Sequence, residues 1–501
     1  MKKSVNSKIF FKEDGMQDII VIGAGIIGTA VARKLAHYRV NVLVLESEND
    51  VAMGSTKANS AIVHGGYAEA HEKLKGRVCY KGRIQYEKLN RELNFGFTPI
   101  GSMVLAFEEK ELNGLKNLMK NGEKNGLRDL KILNHDEIVK LEPNINPEVK
   151  YALYCEGAGV TSPYEMAIAL MENAIHNGVQ LKLNSKVKNI VKNGDIFEVE
   201  TEDGNIYKSK IIVNAAGLNS AKISNLVGID DYEITPRSGE YILFARGTGK
   251  LVNHVLFQMP TKMGKGILVT PTYHGNLLLG PDASNDNELD IGTHVERLKK
   301  IYEQAKKTTD KMEPNKFIRS FAGARAVSST DDFVIRHSKV RGFVECGGIQ
   351  SPGLTSSPAI ADMVAEIIDK EIMKLELKED FDPYRKPIIK RKEEMLPMKE
   401  VTKLVNMESG DERIVCRCEQ VTEKTIIDAI TREIPVTTID GVKRRTRAGM
   451  GFCQGTFCRP RVAALMEKVL KIKVDPKFDT EHSGINRVGK SEFLEFLKKE
   501  N

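Results

Sequence analysis

Two sets of residues in this 501-residue chain have the types and spacing that chemistry needs. Cys416 and Cys418 form CRC, and Cys453 and Cys458 follow as CQGTFC. Four thiolates in two close pairs suit an all-cysteine metal or cluster site. Structural zinc generally takes pairs separated by roughly two to four residues, so the single residue inside CRC counts against zinc. Four thiolates also hold a 2Fe-2S cluster, which is the favoured reading. Disulfides need an oxidising compartment, whereas seven cysteines, an odd number, fit a reducing one. Cys79, Cys155 and Cys346 are scattered and read as buried, inert thiols.

The second set is glycine. Gly23, Gly25 and Gly28 supply GxGxxG, and Glu46 follows at the end of the next apolar run. The first glycine permits a tight turn, the second lets a pyrophosphate approach the backbone, and the third lets helix and strand pack closely. A helix opening at that point offers free N–H groups to phosphates, and a carboxylate at Glu46 can accept from ribose hydroxyls. The pattern predicts a dinucleotide site without deciding between NAD and FAD.

The elements that must position these groups are legible around them. Ile19 to Ile22 has strand length, Ile27, Val31 and Leu35 recur on one helix face, and Val40 to Leu45 is a second β-rich run. No second GxGxxG opens a helix after a strand. GAGVTSPYEMAIAL reads as a helix start, with Ser162, Pro163 and Glu165 forming a capping box. The length exceeds one core and predicts two or three domains. Apolar content of 41% and charged content of 29% are those of a soluble globular protein. The longest apolar stretch, Ile19 to Ala32, is broken by glycines and falls short of the ~18 residues of a spanning helix. The lysine-bearing leading segment has no apolar block and does not read as a secretion signal, so a cytoplasmic location is expected. The net charge of +7 comes from 75 basic and 68 acidic residues, a mixed surface. Only Lys443, Arg444, Arg445 and Arg447 form a dense knot. Without interleaved aromatics it does not read as a nucleic-acid site, and with Arg459 and Arg461 it could offset the negative charge of a thiolate cluster.

Longer segments carry a resemblance. VIGAGIIGTAVARKLA, GSTKANSAIVHGGY, IIVNAAGLNSAKIS, TPRSGEYILFAR, KGILVTPTYHGNLLLGPDA, FAGARAVSSTDDFVI and GGIQSPGLTSSPAIADMV occur in the order seen in FAD-dependent oxidoreductases of the D-amino-acid oxidase and glycerol-3-phosphate dehydrogenase superfamily. IVCRCEQVT with KRRTRAGMGFCQGTFCRPRV resembles the bacterioferritin-associated ferredoxin-like 2Fe-2S domain. The combination is similar to the large-subunit family of anaerobic glycerol-3-phosphate dehydrogenases. It implies an α+β fold with a Rossmann-like FAD-binding domain, an antiparallel-sheet substrate domain and a small helical 2Fe-2S domain. The implied boundaries are 16–100, 151–230 and 336–370 for FAD, 101–150 and 231–335 for substrate, a linker at 371–410, the cysteine domain at 411–470 and a tail at 471–501. In that tail Phe493, Phe496 and Leu497 have helical spacing, expected as a capping helix with docking the alternative.

The resemblance implies roles by position. Gly23, Gly25, Gly28 and Glu46 would hold the ADP half of FAD. Ser55, Thr56, Asn59 and Ser60 would reach the pyrophosphate and ribityl chain, Val187 the adenine, and Ala216 with Gly217 the end of the closing strand. Gly353, Leu354 and Thr355 match the turn facing the flavin pyrimidine edge. Arg325 aligns with the arginine that pairs with the substrate anion, although Ala326 stands where several relatives have proline. His64 is the candidate base, with a structural histidine the competing reading. Arg237, Tyr241 and Lys265 occupy motif positions over the pocket. The expected activity is hydride removal from sn-glycerol 3-phosphate to give dihydroxyacetone phosphate, with electrons leaving through the 2Fe-2S centre to an acceptor protein or second subunit. L-2-hydroxyglutarate or another 2-hydroxy acid, or a non-catalytic electron-relay role, are the alternatives. No nucleic-acid partner and no direct membrane span are expected; membrane association would come only through a partner.

Overall fold

The computed structural model describes residues 15–259, 266–284, 289–389, 395–476 and 485–498. Lys265 and the leading lysine-bearing segment lie outside them.

The first strand, β1 (Gln17–Ile22), is apolar throughout its middle and is buried on both faces. That composition suits the centre of a parallel sheet. It pairs in parallel with β2 (Val42–Leu45) on one side and with Ile206–Asn214 on the other. Gln180–Lys182 extends the parallel ladder beyond β2, and Phe343–Gly347 extends it beyond Ile212. The hairpin Val187–Asn193 and Ile196–Thr201 and the strand Val334–His337 complete eight strands. Helix α1 (Ile26–Leu35) packs with Pro163–His176 and Gly353–Ile367 over one face, burying Ile27, Val31 and Leu35 as their spacing predicts. The capping-box expectation fails at the start of Pro163–His176: Ser162 makes no side-chain cap bond, and Glu165 is held by His274 Nε2 at 2.6 Å. A carboxylate turned toward an imidazole on another sheet cannot also reach back to its own helix.

A second sheet of eight strands runs Phe317–Ser328, Ile234–Phe244, Leu277–Gly280, Leu268–Pro271, Val255–Gln258, Ser102–Ala106, Tyr151–Cys155, Leu130–Asn134. It is antiparallel except where Val255–Gln258 runs parallel to Ser102–Ala106. Because Tyr151–Cys155 pairs with Ser102–Ala106, the change of sheet falls after Cys155, not before Tyr151. Helix Val295–Lys306 covers one face of this sheet, and the terminal helix Lys490–Lys498 drives Phe493 against Phe317 and Tyr302, ring centroids 5.0 and 5.9 Å apart. The terminal helix is thus a cap on that core.

The cysteine segment makes its own small core from Val415, Ile426, Val442, Val462 and Met466. Helices Glu423–Ile430 and Ile439–Thr446 start at Thr422 and Thr438, whose hydroxyls accept the N–H of Thr425 and Gly441. Helix Arg459–Leu470 begins with Pro460 in its first turn, directly after Cys458. The connecting stretch lies along the first layer: Phe381 stacks on His37 at 3.6 Å, and Arg385 Nε donates to Glu172 at 2.5 Å. Within the same stretch, Met398–Val405 forms a helix that buries Val401. Among the described residues no helix is long and apolar enough to cross a membrane.

Candidate active site and cluster centre

A cavity of about 1400 Å³ runs between the two large sheets. It exceeds the roughly 300–1,000 Å³ of an ordinary small-ligand pocket, leaving room for a dinucleotide and a substrate. Glu46, Val187 and Gly23 line it, as do His64, Tyr241, Arg325 and Gly353. The close approach at the glycine turn is measurable: a Cβ on Gly28 would stand 1.8 Å from the Gly23 carbonyl oxygen, and Gly23 has φ +99. Only glycine at both places lets β1 turn directly into α1. The first amide of α1, Ile26 N–H, donates to Thr56 Oγ1 at 2.9 Å, which puts a hydroxyl over the positive end of the helix. Glu46 accepts from Ala24 N–H at 2.6 Å, Glu48 N–H at 3.0 Å and Ser47 Oγ at 3.1 Å. Burial raises its pKa and these donors oppose the rise. A carboxylate has about four acceptor positions, so it keeps capacity for a ribose hydroxyl.

Gly23, Gly25, Glu46, Ser55, Thr56, Asn59, Ser60, Val187, Ala216, Gly217, Gly353 and Leu354 all line the cavity. Gly28 and Thr355 do not. Gly28 lies beneath the turn, and Thr355 is fully buried, its hydroxyl taking the His64 N–H at 2.9 Å. Two lining residues are occupied internally. Ser55 Oγ donates to Ala324 O at 2.6 Å, and the Asn59 amide braces its own loop through Ser55 O, Thr56 O and Ala61 N.

Arg237 and Arg325, which also line the cavity, face each other across the antiparallel pair Ile234–Phe244 and Phe317–Ser328. Arg325 has no carboxylate partner among the described residues, while nearby Asp282 is taken by Arg297 at 2.6 Å. Tyr241, two positions further along that face from Gly239, stacks on Phe321 with centroids 4.7 Å apart. Burial raises the Tyr241 pKa, with Arg325 pulling the other way, so its phenol stays protonated and is a donor. His64 follows the short strand Ile62–Val63; its ring stacks on Phe257 at 5.9 Å, and Nε2 lies 3.4 Å from Ser351 Oγ.

Phe257, Ser351 and Gly323 were not anticipated. Gly323 passes under the pyrophosphate-side loop so closely that a Cβ there would meet Ala58 O at 1.9 Å. A lone glycine inside a β-branched and small-residue run was the signal for it.

The four cysteines of the tail converge. Cys416 faces Cys458 and Cys418 faces Cys453, so each pair joins one thiol of CRC to one of CQGTFC. The hydrogen bond from Cys458 holds the Cys416 thiol down at about 6, and that same contact raises Cys458. Two facing thiol pairs suit a two-iron cluster. None of the seven cysteines forms a disulfide, and burial pushes the thiols of Cys155 and Cys346 up to about 12, as inert core thiols.

Part of the basic knot holds the cysteine segment to the first sheet. Arg445 makes two bonds of 2.8 Å to Asp50, and Arg444 one of 2.5 Å, from helix Ile439–Thr446 to the loop after β2. Arg447 Nε bonds Glu419 at 2.9 Å and its Nη2 reaches Asn276 at 3.2 Å. Arg444 and Arg445 thus share the Asp50 carboxylate.

Residues 18–367 match the model of FAD dependent oxidoreductases. The chain belongs to that family. The oxidoreductase also matches, over residues 414–468, the BFD-like [2Fe-2S] binding domain. It is similar to a glycerol 3-phosphate dehydrogenase of Caloramator mitchellensis, 42% identical over 94% of this chain and 97% of that protein. A glycerol 3-phosphate oxidase of Mycoplasma pneumoniae is 31% identical over 72% of this chain and 96% of its own. The solved L-alpha-glycerophosphate oxidase of that organism, with FAD bound, superposes with TM-score 0.71 at 30% identity, covering 74% of this chain and 99% of that one. FAD and a 2Fe-2S cluster are the cofactors of the oxidoreductase, and the glycine turn and the facing thiol pairs have the shape and donor types each requires.

Proposed function

We propose that the oxidoreductase removes a hydride from C2 of sn-glycerol 3-phosphate and sends the electrons through the cysteine domain to a protein acceptor. The observation that carries this reading is the opposed pair Arg237 and Arg325, both lining the cavity that His64, Tyr241 and Gly353 also line. The 42% identity to a glycerol 3-phosphate dehydrogenase across almost the whole chain supports the substrate.

When bound, FAD supplies a two-electron hydride acceptor and the cluster a one-electron store. The residues of the chain do the rest. Arg325, with Arg237 opposite, forks onto the phosphate oxygens; planar guanidinium donors in a partly buried site hold an anion far better than they would in water. That anchor sets the carbinol carbon at a fixed depth, so the reacting geometry costs little entropy. His64 takes the hydroxyl proton at a ring nitrogen, its position maintained by the Thr355 bond at its backbone and by Phe257 beneath its ring. The amides opening Gly353–Ile367 present the positive end of a helix to the cavity. Toward the cysteine domain, the strand that carries Arg325 also carries Arg319, which donates to Gln454 Oε1 at 3.2 Å. Six residues of strand, about 20 Å, thus join the anion anchor to the CQGTFC turn.

Anaerobic addition of glycerol 3-phosphate to the purified holoenzyme is expected to bleach the flavin absorbance at stoichiometric substrate and then the iron–sulfur absorbance. Bleaching by L-2-hydroxyglutarate and not by glycerol 3-phosphate, or by neither, overturns the substrate assignment.

A further inference from the structure

Around the cysteine centre, burial is one-sided. Cys416 and Cys458 are 1% and 3% exposed, while Cys418 and Cys453 are partly open to solvent. On either side of Cys453, in the same turn, Phe452 and Phe457 stand 61% and 76% exposed. A protein surface scatters single exposed apolar residues, but two large aromatic rings in the turn that carries the partly open Cys453 form a small apolar face beside the redox site. The fringe of that face is cationic. Arg417 and Arg461 are exposed, Arg459 partly so, and Lys490 Nζ lies 4.8 Å from the Phe452 ring. From Gly441 to Lys473 the chain holds Glu467 as its single acid.

We propose that Phe452 and Phe457 form the docking face for a small acidic electron-carrier protein, with Arg417, Arg459, Arg461 and Lys490 steering it to the Cys418–Cys453 edge. The inference rests on the proposed exit of electrons through the cysteine domain. An aromatic centre ringed by charge is the anatomy of a protein–protein contact, and opposite charge on the partner raises the encounter rate and selects orientation. A membrane surface is the lesser fit, because binding in the interface plane uses an amphipathic helix with a Lys/Arg face, and these rings stand on a turn. Transfer at this face moves one electron and no atom: the iron–sulfur centre is oxidised by one electron and the partner's centre is reduced by one.

Zinc-substituted rubredoxin, an acidic and redox-inert probe, tests docking apart from chemistry. The chain contains no tryptophan, so the fluorescence anisotropy of the probe reports complex formation with the holoenzyme. Saturable binding is expected, weakening with added salt, and weakening about tenfold in both Phe457→Ser and Arg461→Glu, two surface changes that leave the cysteines in place. Iron rubredoxin mixed with dithionite-reduced holoenzyme is expected to be reduced more slowly by the same two variants, while reduction of ferricyanide, which needs no docking face, stays at the parental rate. Absence of saturable binding, parental affinity in the variants, or loss of binding to phosphatidylglycerol vesicles in place of rubredoxin overturns the proposal. Glycerol 3-phosphate enters none of these mixtures, so a failed substrate assignment and a failed docking face are told apart.

Discussion

At the scale of single residues, two positions separate binding from architecture. Arg325 lines the cavity and has no carboxylate partner among the described residues, so its replacement removes charge-assisted bonds to the substrate and disturbs no ion pair. Such bonds are worth about 1.5–3 kcal/mol; Arg325→Ala is expected to lower kcat/KM on the order of 100-fold in steady-state assays while bound FAD, read by absorbance, is retained. Gly323 acts the other way. Its missing side chain lets strand Phe317–Ser328 touch the loop at Ala58, 1.9 Å from where a Cβ would be. Gly323→Ala forces that loop outward at a cost of about 1–3 kcal/mol. FAD affinity, measured by titrating the apoprotein, is expected to fall on the order of tenfold with the substrate arginines intact.

At the scale of elements, the contact that seats the cysteine domain is one helix on one loop. Asp50 is 2% exposed and takes three bonds from Arg444 and Arg445. Burial by itself would raise its pKa, but the two guanidinium groups reverse the effect and hold the carboxyl well below its usual range. Asp50→Asn removes the carboxylate that two buried guanidiniums share, a loss of about 3–5 kcal/mol. The expected signature is faster hydrogen exchange across Ile439–Thr446 with β1 still protected. The sign with pH follows: a depressed carboxyl contributes its full stability above the ordinary value near 4 and loses it on further acidification. The strap that leads to the cysteine domain titrates in a different window. Burial first, and Arg33 second, bring the His37 pKa down to about 4, so the ring stacked under Phe381 is neutral at pH 7. The unfolded chain binds a proton there near pH 6.5 and the folded one does not. Protection of residues 376–384 in hydrogen exchange is therefore expected to decline as pH falls from about 6.5 toward 4.

At the scale of the whole molecule, three layers share one chain because each covers another. Removing everything after residue 410 would take away the cysteine domain and also the helix whose Phe493 packs on Phe317 and Tyr302. That truncation would confound electron transfer with loss of a core contact. Cys453→Ser/Cys458→Ser is the cleaner variant: it removes two thiolates and leaves the helices and the Asp50 contact in place. Anaerobic substrate is expected to bleach its flavin as in the parent protein, while turnover with a one-electron protein acceptor falls at least tenfold.

The parts readable from sequence were those in which local chemistry leaves little choice. Three glycines and an acid between two apolar runs specify a strand, a turn and a helix, and the structure builds them with Gly28 against Gly23. CRC and CQGTFC specify a four-thiolate centre at any plausible separation, because no other use for four such thiols is common in a reducing compartment. What sequence did not contain was the partner across space. Lys443, Arg444 and Arg445 are a basic run in one dimension; only folding carries Arg444 and Arg445 to Asp50, nearly four hundred residues away. Likewise Glu165 looks like a cap until His274 arrives from another sheet, and Tyr151–Cys155 joins whichever sheet offers an unpaired edge. Short-range pattern determines which elements and ligands form, whereas buried charge pairing and strand edges are settled by long-range contacts whose energies no stretch of sequence holds by itself.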